Sequence, residues 1–369
     1  MEEVTMASRS EISRLGQCVS DVLRGSWRYG PLPVATIRDV AEICPLLIRL
    51  GVGALAGRRC LTGILDGWVE EFRQIRLWNA VQEAVQAQQL IKVVDTLGSV
   101  GVPFLLLKGW SVARLYPEPG LRPVGDIDIC VPPEALTDAR AALRSDNYGD
   151  GVVDLHAGLP DLHPASFRDL WSRRQTIPIG GQLLSVLGSE DQLKHLCLHW
   201  ARHGGWRAIW LCDIAVACEA LPRGVNWRLI VGGPEWQSAW VRGALSLTTE
   251  LLGTKPSKGS PSLTRAPRWL VRAVLDAWGR GRVGDSHTCE GRSIFDYFRT
   301  PLLLPHGLRQ RWPLPIEAVC TLQKSLFTRW PIPLLQAGYS LRRAWRKLTQ
   351  PASTTADGIN STIQIHVSR

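Results

Sequence analysis

Two aspartates, Asp126 and Asp128, stand one residue apart in an apolar run, VGDIDICV, at positions 124–131. On a strand, residues two apart project from the same face, so the carboxylates would sit side by side while Ile127 and Ile129 enter an apolar layer. Like charges that close destabilise each other unless a cation lies between them. Mg²⁺ suits that place, because it takes hard oxygen ligands, typically one or two carboxylates plus substrate phosphates. Asp-x-Asp is a frequent tripeptide and does not by itself mark a metal site. Its surroundings add weight. Upstream, the apolar run Phe104 to Leu107 ends in Lys108-Gly109, and downstream Asp154 lies in a second short apolar run, VVDLHAGL. Three acids on adjacent strands facing a Gly turn are what metal-assisted phosphoryl or nucleotidyl transfer needs. The acids hold one or two metals, and the turn's backbone N–H groups take phosphate oxygens.

A second group of chemistry-bearing residues is His195, His199 and His203, which recur every four residues on one helical face. Zinc binding would be the sharp reading. However, no Glu follows the first His, as the zinc-protease pattern requires, and three such positions span about 12 Å of helix, too far for one ion. Hydrogen bonding at an interface with the acid-bearing strands is the expectation, with His199 or His203 lining a nucleotide or acceptor pocket. Asp213, inside an apolar run, is expected to be buried and paired with one of these histidines or an arginine. Asp285, His287 and Cys289 could also ligate a metal, but a polar loop accounts for them.

The elements that must position these groups follow from spacing. Residues 69–98 carry apolar side chains at helical intervals and stop at Gly101-Val102-Pro103. This long helix should cross the sheet and feed the strand at 104–107. Pro132-Pro133 starts a helix whose inner face is Leu136, Ala139, Ala142 and Leu143. A strand carrying Asp154 follows, its pairing parallel or antiparallel. A further strand is expected at 182–187, then two helices within 189–222. Residues 1–68 read as a helical cap broken at Gly30 to Pro33 and around Gly51 to Gly57. Gly253 to Pro267 reads as a linker. The division expected is therefore 1–68 helical, 69–188 acid-bearing core, 189–252 helical, 253–350 basic and helical, and 351–369 a disordered tail.

Charge is unevenly spread along the 369 residues. Residues 1–250 hold 25 Lys and Arg against 27 Asp and Glu, whereas residues 251–369 hold 18 against 6. The nearly neutral core argues against a surface that tracks a long nucleic-acid backbone. The basic excess includes GYSLRRAWRKLTQ, which sets Leu341, Trp345 and Leu348 against Arg342, Arg343, Arg346 and Lys347. Such a helix either packs its apolar side on the domain or meets an anionic partner or membrane surface. Nine cysteines without a Cys-x-x-Cys pair suggest reduced thiols in a cytoplasmic protein. No window has the ~20 apolar residues of a membrane span.

The stretch LLLKGWSVARLYPEPGLRPVGDIDICV resembles a bacterial nucleotidyltransferase family of the DNA polymerase beta-type superfamily. Its marks are the Lys108-Gly109 turn, Leu115-Tyr116-Pro117, Gly120-Leu121-Arg122-Pro123 and then Asp-x-Asp. VDLHAGL resembles the family's acid-x-His strand, with His156 beside Asp154. SEDQLKHLCLHWARH and WLCDIA resemble its following helical segment. The resemblance covers roughly residues 70–230. It implies an α+β fold, a small mixed nucleotidyltransferase sheet flanked by helices. It also implies a Mg²⁺-dependent enzyme that moves a nucleoside monophosphate from a nucleoside triphosphate to an acceptor. Asp126, Asp128 and Asp154 would be catalytic and hold two ions. Lys108, Gly109, Ser111 and Arg122 would bind the nucleotide, and His156, His199 and His203 would border the pocket. The acceptor would be a small molecule, peptide or glycan, in keeping with association with biosynthetic gene clusters. One departure is clear: the wider superfamily follows its turn Gly with Gly or Ser, and here Gly109 is followed by Trp110.

Overall fold

The computed structural model describes residues 9–29, 35–36, 40–59, 61–62, 66–145, 152–257, 259–281, 312–323, 325–326 and 330–349. The tail expected at 351–369 and the loop with Asp285, His287 and Cys289 lie outside these.

The chain begins with α1 (Arg9–Leu23), α2 (Val40–Arg49) and α3 (Gly53–Gly57). Two short strands absent from the sequence reading, β1 (Ala35–Thr36) and β2 (Leu61–Thr62), pair in parallel beside them. The expected long helix is α4 (Asp66–Ser99). The sheet region follows with β3 (Leu105–Leu106), α5 (Trp110–Ala113), β4 (Ile127–Val131), α6 (Leu136–Ser145), β5 (Val153–Ala157), α7 (Phe167–Ser172), β6 (Gln175–Ile179) and β7 (Gln182–Val186). The five strands lie in the order β5-β4-β3-β7-β6. Pairs β4–β5 and β3–β7 are parallel, while β3–β4 and β6–β7 are antiparallel. The sheet is mixed and flanked by helices, an α+β fold as expected. β4, α6 and β5 form a βαβ unit, which settles the pairing left open by the sequence.

Alternation along β4 divides the sheet's two faces. Ile127, Ile129 and Val131 join Leu106, Leu184 and Val186 in a core closed by Leu90, Val93 and Leu97 of α4 and Ala139 and Leu143 of α6. The other face sends Leu105, Leu107 and Cys130 into a larger helical core. Asp128, in phase with Cys130, therefore faces the helical side.

That side is built by α8 (Ser189–Arg202), α9 (Ala208–Glu219), α10 (Trp227–Val231), α11 (Glu235–Leu252), α12 (Arg268–Gly279), α13 (Pro315–Leu322) and α14 (Ile332–Thr349). The N-cap of α8 is Gly188, and Ser189 is its first helical residue. Helix α9 is apolar on nearly all sides and buried along its length. α1 packs on α12 with Gly16 and Gly279 at the crossing. A Cβ at Gly16 would stand 2.0 Å from the Leu275 carbonyl oxygen, and one at Gly279 1.8 Å from that of Ile12. Among the described residues, Leu15 and Val19 of α1, Trp278 of α12 and Leu335 of α14 belong to one hydrophobic cluster with residues of α8, α9 and α11.

Candidate active site

The acids are positioned by the β4–β5 register. Asp128 pairs with Asp154 and Cys130 with His156 across the parallel strands. Asp128 is only 2 % exposed, whereas Asp154 is open to solvent. Lys108, at the end of β3, places Nζ 2.7 Å from Asp128 Oδ1. His156 Nε2 lies 3.3 Å from the same oxygen and 3.2 Å from Asp154 Oδ2. One ligand atom each from Asp128, Asp154 and His156 can be found within 4.8 Å of one another.

These contacts set the charge states. Burial alone would raise the Asp128 pKa, but the Lys108 charge and the His156 hydrogen bond hold it below its ordinary value. Burial opposes the charge on His156, yet hydrogen bonds to Asp128 and Asp154 push its pKa up to about 9. At neutral pH the imidazole is therefore a cation.

Asp126 stands on the bend before β4, not in the strand, and keeps solvent access. It does not join the tight Asp128–Asp154–His156 group. Desolvation and then the Asp128 charge raise its pKa. The bend is held from α4, whose Gln86 Nε2 donates to the Gly125 carbonyl at 2.7 Å. One and two turns earlier, Glu83 accepts from the Gly120 N–H at 2.9 Å and Asn79 Nδ2 donates to the Gly120 carbonyl at 3.1 Å. Sequence reasoning missed these three residues. Their signal was present, because Asn79, Glu83 and Gln86 are polar at helical spacing on one face of a helix read only for its apolar positions.

The turn behaves as expected at one residue. Gly109 has φ +64°, a left-handed conformation that favours glycine, and a Cβ there would sit 3.5 Å from the Asp126 carbonyl oxygen. Ser111 does not face the site. It is fully buried, donates to the Leu107 carbonyl at 3.0 Å and accepts from Gln192 Nε2 at 2.8 Å. Arg122 also has a job other than phosphate binding. Its Nε and Nη2 lie 2.9 and 3.0 Å from the two oxygens of Asp213, its Nη1 donates to the Pro123 carbonyl, and Tyr116 donates to Asp213 at 2.9 Å. The arginine partner expected for Asp213 is thus Arg122. The pair ties the loop before β4 to α9.

Helix α8 forms the wall behind Lys108. His195 and His199 are buried, and among the described residues neither nitrogen of His195 has a hydrogen-bond partner, nor does His199 Nε2. Burial and then the Lys108 charge push the His195 pKa down to about 3 and that of His199 well below its ordinary value. Both are neutral. His203 stacks at 4.3 Å from His199, and Trp210 meets both rings edge-on. After β5, Asp161 is paired with Arg202 at 2.7 Å. The sequence reading did not single out that pair.

The profile of a family described as uncharacterised nucleotidyltransferase matches residues 46–233, just over half of the chain. The chain belongs to this family. The match takes in the Lys108-Gly109 turn, both strands of the acid pair, and α8 and α9. Among solved structures, the chain is similar to an antigenic nucleotidyltransferase-like protein from Paracoccidioides brasiliensis. Identity is 16 %, covering 50 % of this chain and 94 % of that one, with a TM-score of 0.31. The family assignment rests on the profile. No curated protein matches the chain. In this chain, then, a buried acid paired with two cations stands at the meeting of three strands, and among the described residues no helix is long and apolar enough to cross a membrane.

Proposed function

We propose that the protein transfers a nucleoside monophosphate from a nucleoside triphosphate to a hydroxyl or phosphate of a small-molecule, peptide or glycan acceptor. The observation that carries this reading is the buried Asp128 carboxylate held by Lys108 and His156, in register with the open Asp154.

The donor set fits a divalent cation. Two carboxylates are hard ligands of the type Mg²⁺ and Mn²⁺ prefer, and the imidazole nitrogen is compatible with Mn²⁺ once the incoming ion has displaced its proton. The place already draws positive charge from two side chains. Asp128 and Asp154 would hold one ion, and Asp126, on the adjacent bend, is the residue that would serve a second. Such an ion neutralises and orients the triphosphate. With Asp128 so engaged, Lys108 is released to bind phosphate oxygens as a point charge. Gly109 lets the turn approach them without a side chain. Asp126, of raised pKa and open to solvent, and Asp154 would take the acceptor proton. The acceptor oxygen forms a bond to the α-phosphorus as the bond to the bridging oxygen breaks, and pyrophosphate leaves. Arg122 acts by bracing the loop that carries Asp126.

A non-catalytic nucleotide-binding role is the second reading. It draws on the burial of Ser111, which leaves the turn without an accessible hydroxyl, and on Trp110 after Gly109. Calorimetric titration with each common triphosphate, with and without Mg²⁺, separates the two when combined with assay of pyrophosphate release. Asp128→Asn should abolish metal-dependent binding and release while the circular dichroism spectrum is retained. Full activity in that variant would end the catalytic assignment.

A further inference from the structure

The last helix, α14, has an inner and an outer face that differ in kind. Inward, Leu335 and Gln336 are buried; Gln336 donates to the Pro313 carbonyl at 2.7 Å, and Tyr339 donates to Glu317 at 2.7 Å. These contacts fix the N-terminal half of α14 on α13. Outward, Leu334, Leu341 and Trp345 are 58 %, 72 % and 67 % exposed. At ~100° per residue they fall within an arc of about 40°, a stripe roughly 16 Å long. The helix carries Arg342, Arg343, Arg346 and Lys347 and no acid. At the same angular step, the exposed Arg342 flanks the stripe, about 60° from Trp345.

We propose that α14 lies on an anionic lipid surface, with Leu334, Leu341 and Trp345 at the acyl boundary and Arg342 among the headgroups. The pattern fits an interfacial helix: Leu and Trp on the exposed face, with arginine at its flank. The charge points to an anionic partner, since residues 251–369 hold 18 Lys and Arg against 6 Asp and Glu. The shape favours a membrane over a folded protein. A narrow convex ridge needs a matching groove in a protein, whereas a bilayer deforms around it. This surface does not depend on the transferase reading.

The test is flotation of the full chain with vesicles of phosphatidylcholine alone and of equal parts phosphatidylcholine and phosphatidylserine. The wild type should float only with the anionic vesicles, and less in high salt. Leu341→Ser/Trp345→Ser, whose side chains point away from the domain, should lower the vesicle affinity by on the order of tenfold or more. The circular dichroism spectrum and urea denaturation midpoint of the double variant should stay unchanged, which shows that it is folded. Absence of flotation by the wild type overturns the proposal. So does undiminished flotation by the double variant. A wild-type dimer in solution that the double variant dissolves, without vesicle binding, would assign the stripe to self-association and also overturn it.

Discussion

Acidification should destabilise the protein through His195, and the size of the effect can be worked out. In the folded chain the His195 pKa is pushed down to about 3, by burial first and by the Lys108 charge second, from an ordinary value of 6.5. The folded value lies below the unfolded one. Below pH 6.5 the unfolded chain therefore takes up a proton that the folded chain refuses, and stability falls with pH. The contribution is fully present above pH 6.5 and is lost progressively down to about pH 3. Each unit is worth about 1.36 kcal/mol, so at pH 5, 1.5 units below the unfolded value, His195 costs about 2 kcal/mol. His195→Leu keeps a similar volume at a site 3 % exposed and removes the titration. Urea denaturation followed by circular dichroism at pH 7.5 and pH 5 checks this. The wild type should lose about 2 kcal/mol more than the variant between the two values, a change of roughly thirtyfold in the folded-to-unfolded ratio. Comparing the two proteins cancels the other titrating groups. Equal pH dependence in both would show that His195 accepts a proton without leaving its site, and the neutral wall behind Lys108 would have to be given up.

Lys108→Met removes the cation from Asp128 and should tighten Mn²⁺ binding without nucleotide by on the order of tenfold, while weakening triphosphate binding. Calorimetry with each ligand reads both, and unchanged Mn²⁺ affinity would refute competition between Lys108 and the metal. Asp213→Asn leaves Arg122 buried without its charged partner and should cost about 3–5 kcal/mol in denaturant unfolding, whereas Arg122→Met/Asp213→Leu should recover much of the loss. A double variant as unstable as the single one would show that the pair does more than satisfy itself.

Much of the fold was legible because period-two and helical patterns are strong where one face is buried. Ile127, Ile129 and Val131 alternate with Asp128 and Cys130, and that alternation alone places Asp128 on the helical side. Two kinds of feature were harder to read. Strands of two residues such as β1 and β2 have no pattern long enough to distinguish them from loops, and β6 is disguised by Pro178. The roles of Ser111 and Arg122 depended on partners far along the chain: Gln192 is 81 residues from Ser111, and Asp213 is 91 residues from Arg122. Nothing local to a Gly-x-Arg-Pro loop shows that its arginine turns inward. Asp126 was placed on the strand because the apolar run begins at Val124. The bend comes from Gln86 on α4, which captures the Gly125 carbonyl that a longer strand would have paired.

The distribution of charge around Asp128 has a consequence for how ligands enter. The wall behind Lys108 includes the imidazoles of His195 and His199, both neutral. Near Asp128, positive charge comes from Lys108 and His156, and both contact its carboxylate. A triphosphate arriving alone would have to draw Lys108 off a buried acid and leave that acid short of a partner. A divalent cation arriving alone would meet a carboxylate already paired with a lysine that has no phosphate to move to. Each ligand removes the obstacle to the other: the cation takes over Asp128, and the phosphates take over Lys108. Under the proposed function the two should therefore bind cooperatively, with the coupling carried by one side chain. In Lys108→Met both obstacles vanish together, so that variant should lose the coupling between metal and nucleotide even where each still binds.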